Sequence, residues 1–304
     1  MPHLNQAPIF GNAHIVRSWA PGTCGELVQG AIDGQDFLVN CPVDLYSQAI
    51  ARPGVHAGLS LSHAELHGKV MQAAQVVSGI CGIELHHELR IDSDIPRGKG
   101  MASSTADLTA AVEALCRSCD VSLSDEQLAR VLTAVEPSDC VHFPGIAHVN
   151  HLNGDLLDMM PAPIGMRVLV LDCGGEIDTL HFDRERARAV YRRNQPAIRA
   201  ALHLVKLGLR KGDDRAVATA ATLSTKLSQE ILPKPQFDEL LACCSERGAL
   251  GVNCAHSGTV LGVLYREQDH IAELLLDCAC SHLGSSIRVQ GDYRIIAGGR
   301  HAGH

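Results

Sequence analysis

The 304-residue chain is 46% hydrophobic but only 3% aromatic, enough for a sizeable core resting on aliphatic side chains and alanine, and more naturally two subdomains than one. A formal net charge of -8 argues against nucleic acid as the main partner, because binding a phosphate backbone needs a clustered basic surface. The first twenty residues lack a secretion-signal pattern and nothing reaches the roughly 18 apolar residues of a membrane span, so the expectation is a cytoplasmic protein, off the membrane, with its twelve cysteines reduced.

Met1–Asn12 reads as a loose leader and 13–20 as a first strand. The strand runs into Ala20-Pro-Gly-Thr-Cys-Gly-Glu-Leu-Val-Gln-Gly30, where Pro21, Gly22 and Gly25 predict a hairpin turn and Glu26 is a charge costly to bury unpaired. Phe37–Val43 and Leu45–Arg52 predict two short strands separated by Pro42. Glu65–Ile80 carries the apolar spacing of an amphipathic helix, and Glu84–Ile91 alternates like a strand. That alternation sends His86 and His87 to opposite faces, so they cannot chelate one ion together.

The strand feeds Ile95-Pro-Arg-Gly-Lys-Gly-Met-Ala-Ser-Ser-Thr-Ala106 and then a helix patterned by Leu108, Ala111, Val112, Leu115, Cys116 and Cys119. Gly98 and Gly100 let the backbone approach an anion, Ser103 and Ser104 add hydroxyl donors, and the first helical amides carry the positive end of the dipole. This is the make-up of a phosphate cradle, although a serine N-cap is the plainer alternative. Cys116 and Cys119 continue the apolar stripe and read as core. Cys243-Cys244 and Cys278-Ala279-Cys280 lack zinc-finger spacing.

A second helix opens at Ser124 with Gln127 completing a capping box, and it stops at Glu136-Pro-Ser-Asp139. Two carboxylates in a turn are ordinarily solvated. After a phosphate loop they also suit a magnesium ligand and a base for an attacking hydroxyl.

Turn-rich 150–163 predicts a boundary between domains at 13–163 and 164–304. Beyond it, Arg167–Asp172 reads as a buried strand, and Asp172-Cys-Gly-Gly-Glu with Thr179 as a connector or a loop facing substrate. Arg184–Leu209 is a basic helical stretch interrupted at Pro196, its arginines spread as on a solvated face. Helices at Ala216–Gln229 and Gln236–Arg247 flank Leu232-Pro-Lys-Pro235. A small-residue loop, Gly251–Val260, then enters a strand at Val260–Tyr265, followed by a helix at Asp269–Cys280 and a strand at Ser286–Ile296. The histidine-rich end, Arg300–His304, reads as frayed. The order of elements is that of an α+β protein.

Pro-x-x-x-Gly-x-x-Ser-Ser-x-Ala, from Pro96, resembles the central ATP-binding motif of the GHMP kinase superfamily, which phosphorylates small-molecule alcohols; Ala102 stands where many members carry a second glycine. Pro21-Gly22 through Gly30 resembles its N-terminal signature, with Thr23 in place of a frequent lysine. Gly251–Val260 resembles its C-terminal glycine-rich motif, with His256-Ser257-Gly258 as a departure. The resemblance implies two subdomains, ribosomal S5 domain 2-like and then ferredoxin-like. It implies ATP held by Pro96, Arg97, Gly98, Lys99, Gly100, Met101, Ala102, Ser103 and Ser104, and Mg2+ held by Ser104 and Glu136. Asp139 would take the proton of the acceptor hydroxyl or orient it.

Five segments together resemble the L-threonine kinases of cobalamin biosynthesis, a branch that makes O-phospho-L-threonine: Pro21–Gly30, Val39-Asn-Cys-Pro-Val-Asp44, Lys99–Asp107, Glu136–Asp139 and Leu232–Pro235. Kinases for homoserine or a mevalonate-pathway alcohol, and a non-catalytic nucleotide- or metabolite-binding regulator, are the alternatives. The partners implied are a small-molecule substrate and ATP, and a homodimer is compatible with the sequence.

Overall fold

The structure, a computed structural model, describes residues 15–54, 58–61, 67–174 and 183–303. The leader, the start of the helix expected at Glu65, Gly175–Thr179 of the loop after Asp172, and His304 lie outside them.

A strand, not a turn, occupies the first glycine motif. Strand β1 (Val16–Ile32) continues through Pro21, Gly22 and Gly25. Register slips against β2 (Gln35–Pro53) at Pro21/Gly22, Thr23/Glu26 and Glu26/Val28 absorb the irregular residues. The hairpin turn sits at Asp33-Gly34, where φ is 53° and 82°, the conformation whose twist matches paired strands. Pro42 does not divide β2; it lies in the slipped stretch opposite Thr23, and its carbonyl accepts a bond of 2.9 Å from the Ile296 amide.

The remaining strands are β3 (Gly58–Leu61), β4 (His86–Ser93), β5 (Ile146–Val149), β6 (Leu156–Met160), β7 (Met166–Asp172), β8 (Gly251–Cys254), β9 (Val260–Arg266), β10 (Arg288–Arg294) and β11 (His301–Gly303). They join one sheet in the order β10-β7-β9-β8-β1-β2-β4-β3, with β5 and β6 branching from β2 and β11 added to β1. Strand β6 falls inside the turn-rich stretch expected to be a boundary.

Helices α1 (His67–Cys81), α2 (Ser103–Ser118) and α3 (Asp125–Val135) pack together, with α2 against β1, β2 and β4. The capping box of α3 is present, with the Gln127 amide donating to Ser124 Oγ at 3.2 Å and the Ser124 amide to Gln127 Oε1 at 2.8 Å. The basic stretch forms two helices, α4 (Arg184–Arg193) and α5 (Gln195–Lys211), with Pro196 in the first turn of α5, where its missing N–H breaks no bond. Helix α6 (Asp214–Ser228) joins α5 against β1 and β8. Helices α7 (Phe237–Ser245) and α8 (Ala272–Leu283) pair and cover β7–β9 around a second core of Phe237, Leu240, Val263 and Leu275. The α+β class is therefore as expected.

One expectation is corrected. The histidine-rich end is not frayed: β11 pairs with Arg17–Trp19. Arg300 also reaches Glu113 Oε2 at 3.2 Å and Asp125 Oδ1 at 3.2 Å. Packing of α7 on α8 also brings the Cα atoms of Cys243 and Cys278 to 6.4 Å and their sulfurs together. The same packing places the sulfur of Cys244 within 4.8 Å of both, a cluster that sequence spacing conceals. Among the described residues, no helix is long and apolar enough to cross a membrane.

Candidate active site

The turn between β4 and α2 is built on left-handed residues. Gly98 and Gly100 have φ of 68° and 81°, and Ala102, the N-cap of α2, has φ of 58° with no side-chain capping bond. Ser103 and Ser104 are therefore the first helical residues and not caps, which removes the plainer reading of the motif. Both serines border a cavity of about 370 Å³, at the helix end where the first amides have no intrahelical acceptor. Gly98, Gly100, Met101, Ala102, Ser103 and Ser104 all line it, and so do Glu136 and Asp139. Three residues of the motif behave differently. Pro96, Arg97 and Lys99 are absent from the wall: Arg97 turns to Asp107 at 3.5 Å and Lys99 to Asp172 at 2.9 Å.

The three glycine motifs meet behind this turn. The amides of Thr23 and Gly25 donate to the carbonyls of Met101 (3.0 Å) and Gly100 (3.3 Å), and the Thr259 amide donates to Lys99 O (3.0 Å). Gly100 and Gly258 are in backbone contact, since a Cβ on Gly258 would lie 2.4 Å from Gly100 Cα and 2.3 Å from Lys99 O. Gly25 is equally confined, because its Cβ would lie 2.4 Å from Cys254 O. Glycine is needed at these positions for close approach of three backbones.

Asp172 ties the turn to β7. It is 3% exposed, and it accepts from Thr259 Oγ1 at 2.5 Å and the Gly174 amide at 3.0 Å besides pairing with Lys99. Burial acts to raise its pKa, but those bonds from Thr259 and Lys99 hold it below the usual carboxylate value. Asp172 thus serves the loop through Lys99, a role that the sequence did not separate from that of a plain connector.

At the mouth of α2, Glu136 Oε1 accepts a short hydrogen bond from Ser104 Oγ. Lys69, from α1, donates to Glu136 Oε2 at 2.9 Å and to Ser104 Oγ at 3.1 Å. Two hard oxygen donors side by side suit Mg2+, which takes few protein ligands and fills its shell with phosphate and water.

Deeper in, Asp139 is placed by a network that holds its backbone. Asn40 Nδ2 donates to Asp139 O at 3.2 Å, while Asn40 Oδ1 accepts from the Ala147 amide at 2.9 Å. Burial, and then the nearby Glu136 carboxylate, push the Asp139 carboxyl up to about 6. Behind it stands Glu26, 6% exposed, whose Oε2 has no hydrogen-bond partner among the described residues. Burial first and Asp139 second raise its pKa well above the normal value, against the pull of a His256 backbone bond and Lys234.

The cavity is also lined by Arg184, Arg188 and Tyr191 from α4. Tyr191 is 4% exposed and its hydroxyl has no hydrogen-bond partner among the described residues. His151 and His256 stack edge to face at 5.2 Å between centroids, and burial lowers them to about 4 and about 3, so both are neutral imidazoles near pH 7. Sequence reading missed Lys69, His151, Tyr191 and the two arginines, since none lies in a glycine motif and α4 looked like a solvated face. Glu26 did carry a signal, as an acid inside a buried apolar run.

Family models describe the same chain in two pieces. GHMP kinases N terminal domain matches residues 65–144, and GHMP kinases C terminal matches 204–283. An L-threonine kinase of Citrobacter freundii is 33% identical over 252 residues, 82% of this chain and 86% of that protein. An L-threonine kinase of Salmonella typhimurium is 32% identical over 252 residues, with 82% and 83% covered. Among solved structures, homoserine kinase from Cytophaga hutchinsonii superposes with a TM-score of 0.76 at 15% identity, covering 98% of this chain and all of that one. Methanococcus jannaschii mevalonate kinase gives 0.71 at 14%, covering 94% and 100%. At such identities the structural likeness shows the fold alone.

Proposed function

The chain belongs to the GHMP kinases, and from that premise we propose that it transfers the γ-phosphoryl group of ATP to the hydroxyl of L-threonine, forming O-phospho-L-threonine for cobalamin biosynthesis. The observation that carries an amino-acid acceptor is that one cavity is lined both by the carboxylate of Asp139 and by the cations Arg184 and Arg188. A zwitterion needs an anionic place for its ammonium and a cationic one for its carboxylate. Mevalonate has no ammonium, which makes its kinases the weaker reading. Homoserine satisfies the same charges and is the nearest rival.

In this reading Gly98, Gly100, Met101, Ala102, Ser103 and Ser104 of the turn, with the first amides of α2, bind the ATP phosphates, while Pro96, Arg97 and Lys99 shape the turn from behind. Ser104 and Glu136 hold Mg2+, which when bound neutralises phosphate charge. Asp139 accepts or orients the threonine hydroxyl proton, and its carboxyl near 6 leaves it mostly ionised at neutral pH. Positioning and charge neutralisation supply most of the rate. The domains at 13–163 and 164–304 belong to the same proposal, the first bringing the phosphate turn and both acids, the second the arginines and the Gly258 loop.

The test is incubation of purified protein with Mg2+-ATP and L-threonine, L-serine, L-homoserine or mevalonate, following ADP and identifying product by mass. Phosphothreonine as dominant product is expected. Dominant phosphohomoserine would move the acceptor, and ATP binding without any ADP would replace the kinase with a nucleotide-binding regulator.

A further inference from the structure

Lys69 stands where a divalent ion would. Its ammonium bonds both oxygens assigned above to Mg2+, at 2.9 Å to Glu136 Oε2 and 3.1 Å to Ser104 Oγ. The side chain is 45% exposed, so its stem is free to carry the ammonium elsewhere, and Lys69 lines the same cavity as the amides of the phosphate turn. Glu136 in turn faces a second carboxylate, Asp139, and the two acids repel one another. Helix α1 thus supplies a cation beside the Ser104–Glu136 pair.

We infer that Lys69 is a positioning residue that makes metal loading depend on nucleotide. The inference rests on Ser104 and Glu136 being the metal ligands. Without nucleotide, the ammonium competes with a divalent ion for the same two oxygens and keeps them in contact. When ATP arrives, its phosphates offer the ammonium an alternative anion at the head of α2. Lys69 then leaves Glu136 and Ser104 to the ion and adds a positive charge beside the phosphates. A purely structural lysine would hold α1 to the Glu136 turn in either state and would not compete with a metal.

The experiment measures Mn2+ binding by electron paramagnetic resonance, with Mn2+ as the probe, on full-length wild type, Lys69→Met, Lys69→Arg and Glu136→Gln, with and without ADP. Lys69→Met is expected to tighten Mn2+ binding to the nucleotide-free protein by about tenfold, the effect of removing a competing unit charge from a half-exposed site. It is expected to weaken Mn2+-ADP binding several-fold, while Lys69→Arg keeps wild-type behaviour in both. Unchanged or weaker Mn2+ binding by nucleotide-free Lys69→Met, in a protein where Glu136→Gln abolishes binding, would overturn the role of Lys69 alone. Mn2+ binding that ignores Glu136→Gln would overturn the ligand assignment and the inference with it. Circular dichroism and melting temperature for each variant separate these outcomes from misfolding.

Discussion

Glu26 shows how one side chain reports on a site. A buried carboxylate with an unpartnered oxygen is costly unless a ligand or a proton completes it. Its pKa is raised in the folded protein, so the folded state holds the proton that the unfolded chain gives up near pH 4.3, and stability falls as pH climbs from that value through the folded one. Glu26→Gln keeps an acceptor for His256 and removes the charge. It should raise stability by about 1–3 kcal/mol at pH 8, with the gain shrinking towards pH 5. Melting temperatures at the two pH values check this; an equal shift at both would mean that the carboxyl is not desolvated. The acid was visible in the sequence as a charge costly to bury unpaired, beside an apolar segment. That Asp139 and Lys234 stand next to it was not, because they come from turns far along the chain.

Elements were legible where periodicity and end signals agreed. The α3 capping box and the β4–turn–α2 unit are found close to where the residues predicted them. The longest strands were misread because Pro21, Gly25 and Pro42 look like breaks, whereas pairing between β1 and β2 absorbs them as register slips, an effect of the partner strand that no local pattern carries. The Asp33-Gly34 pair was the stronger hairpin signal and marks the true turn. At this scale the close packing of two glycine loops can be tested directly. Gly258→Ala presses a methyl group onto the Lys99 carbonyl and Gly100 Cα, which cannot yield without moving the phosphate turn. It should cost about 1–3 kcal/mol and raise the KM for ATP. Gly79→Ala, in α1 with open space around it, should instead stabilise by up to about 1 kcal/mol and leave KM unchanged. Denaturant melts and steady-state kinetics on the two variants decide, and equal behaviour would remove the close contact from the account.

The whole molecule is tied together more tightly than two sequence halves suggest. One sheet runs from β10 to β3, β11 comes back to β1, and Arg300 closes onto α2 and α3 through Glu113 and Asp125. Thermal unfolding should therefore be a single transition with calorimetric and van't Hoff enthalpies in agreement; two resolved transitions would show that the halves melt independently. The α+β class was legible because it needs only the order of elements, while the sharing of one sheet depends on pairings such as Glu26 with Cys254, 228 residues apart. Asn253 Nδ2 reaches the carbonyl of Cys24 at 2.5 Å across a separation of 229 residues. A ribosome delivers these partners in strict order, with Gly25 and Gly100 emerging long before Gly258. A nascent chain stopped short of Gly258 carries a phosphate turn with one wall missing, and β1 waits beside an empty lane for β8. Closing such distant pairs is slow. The last stretch of synthesis is thus also the step that creates the site, and unfinished chains are both inactive and prone to stick through the open edge of β1.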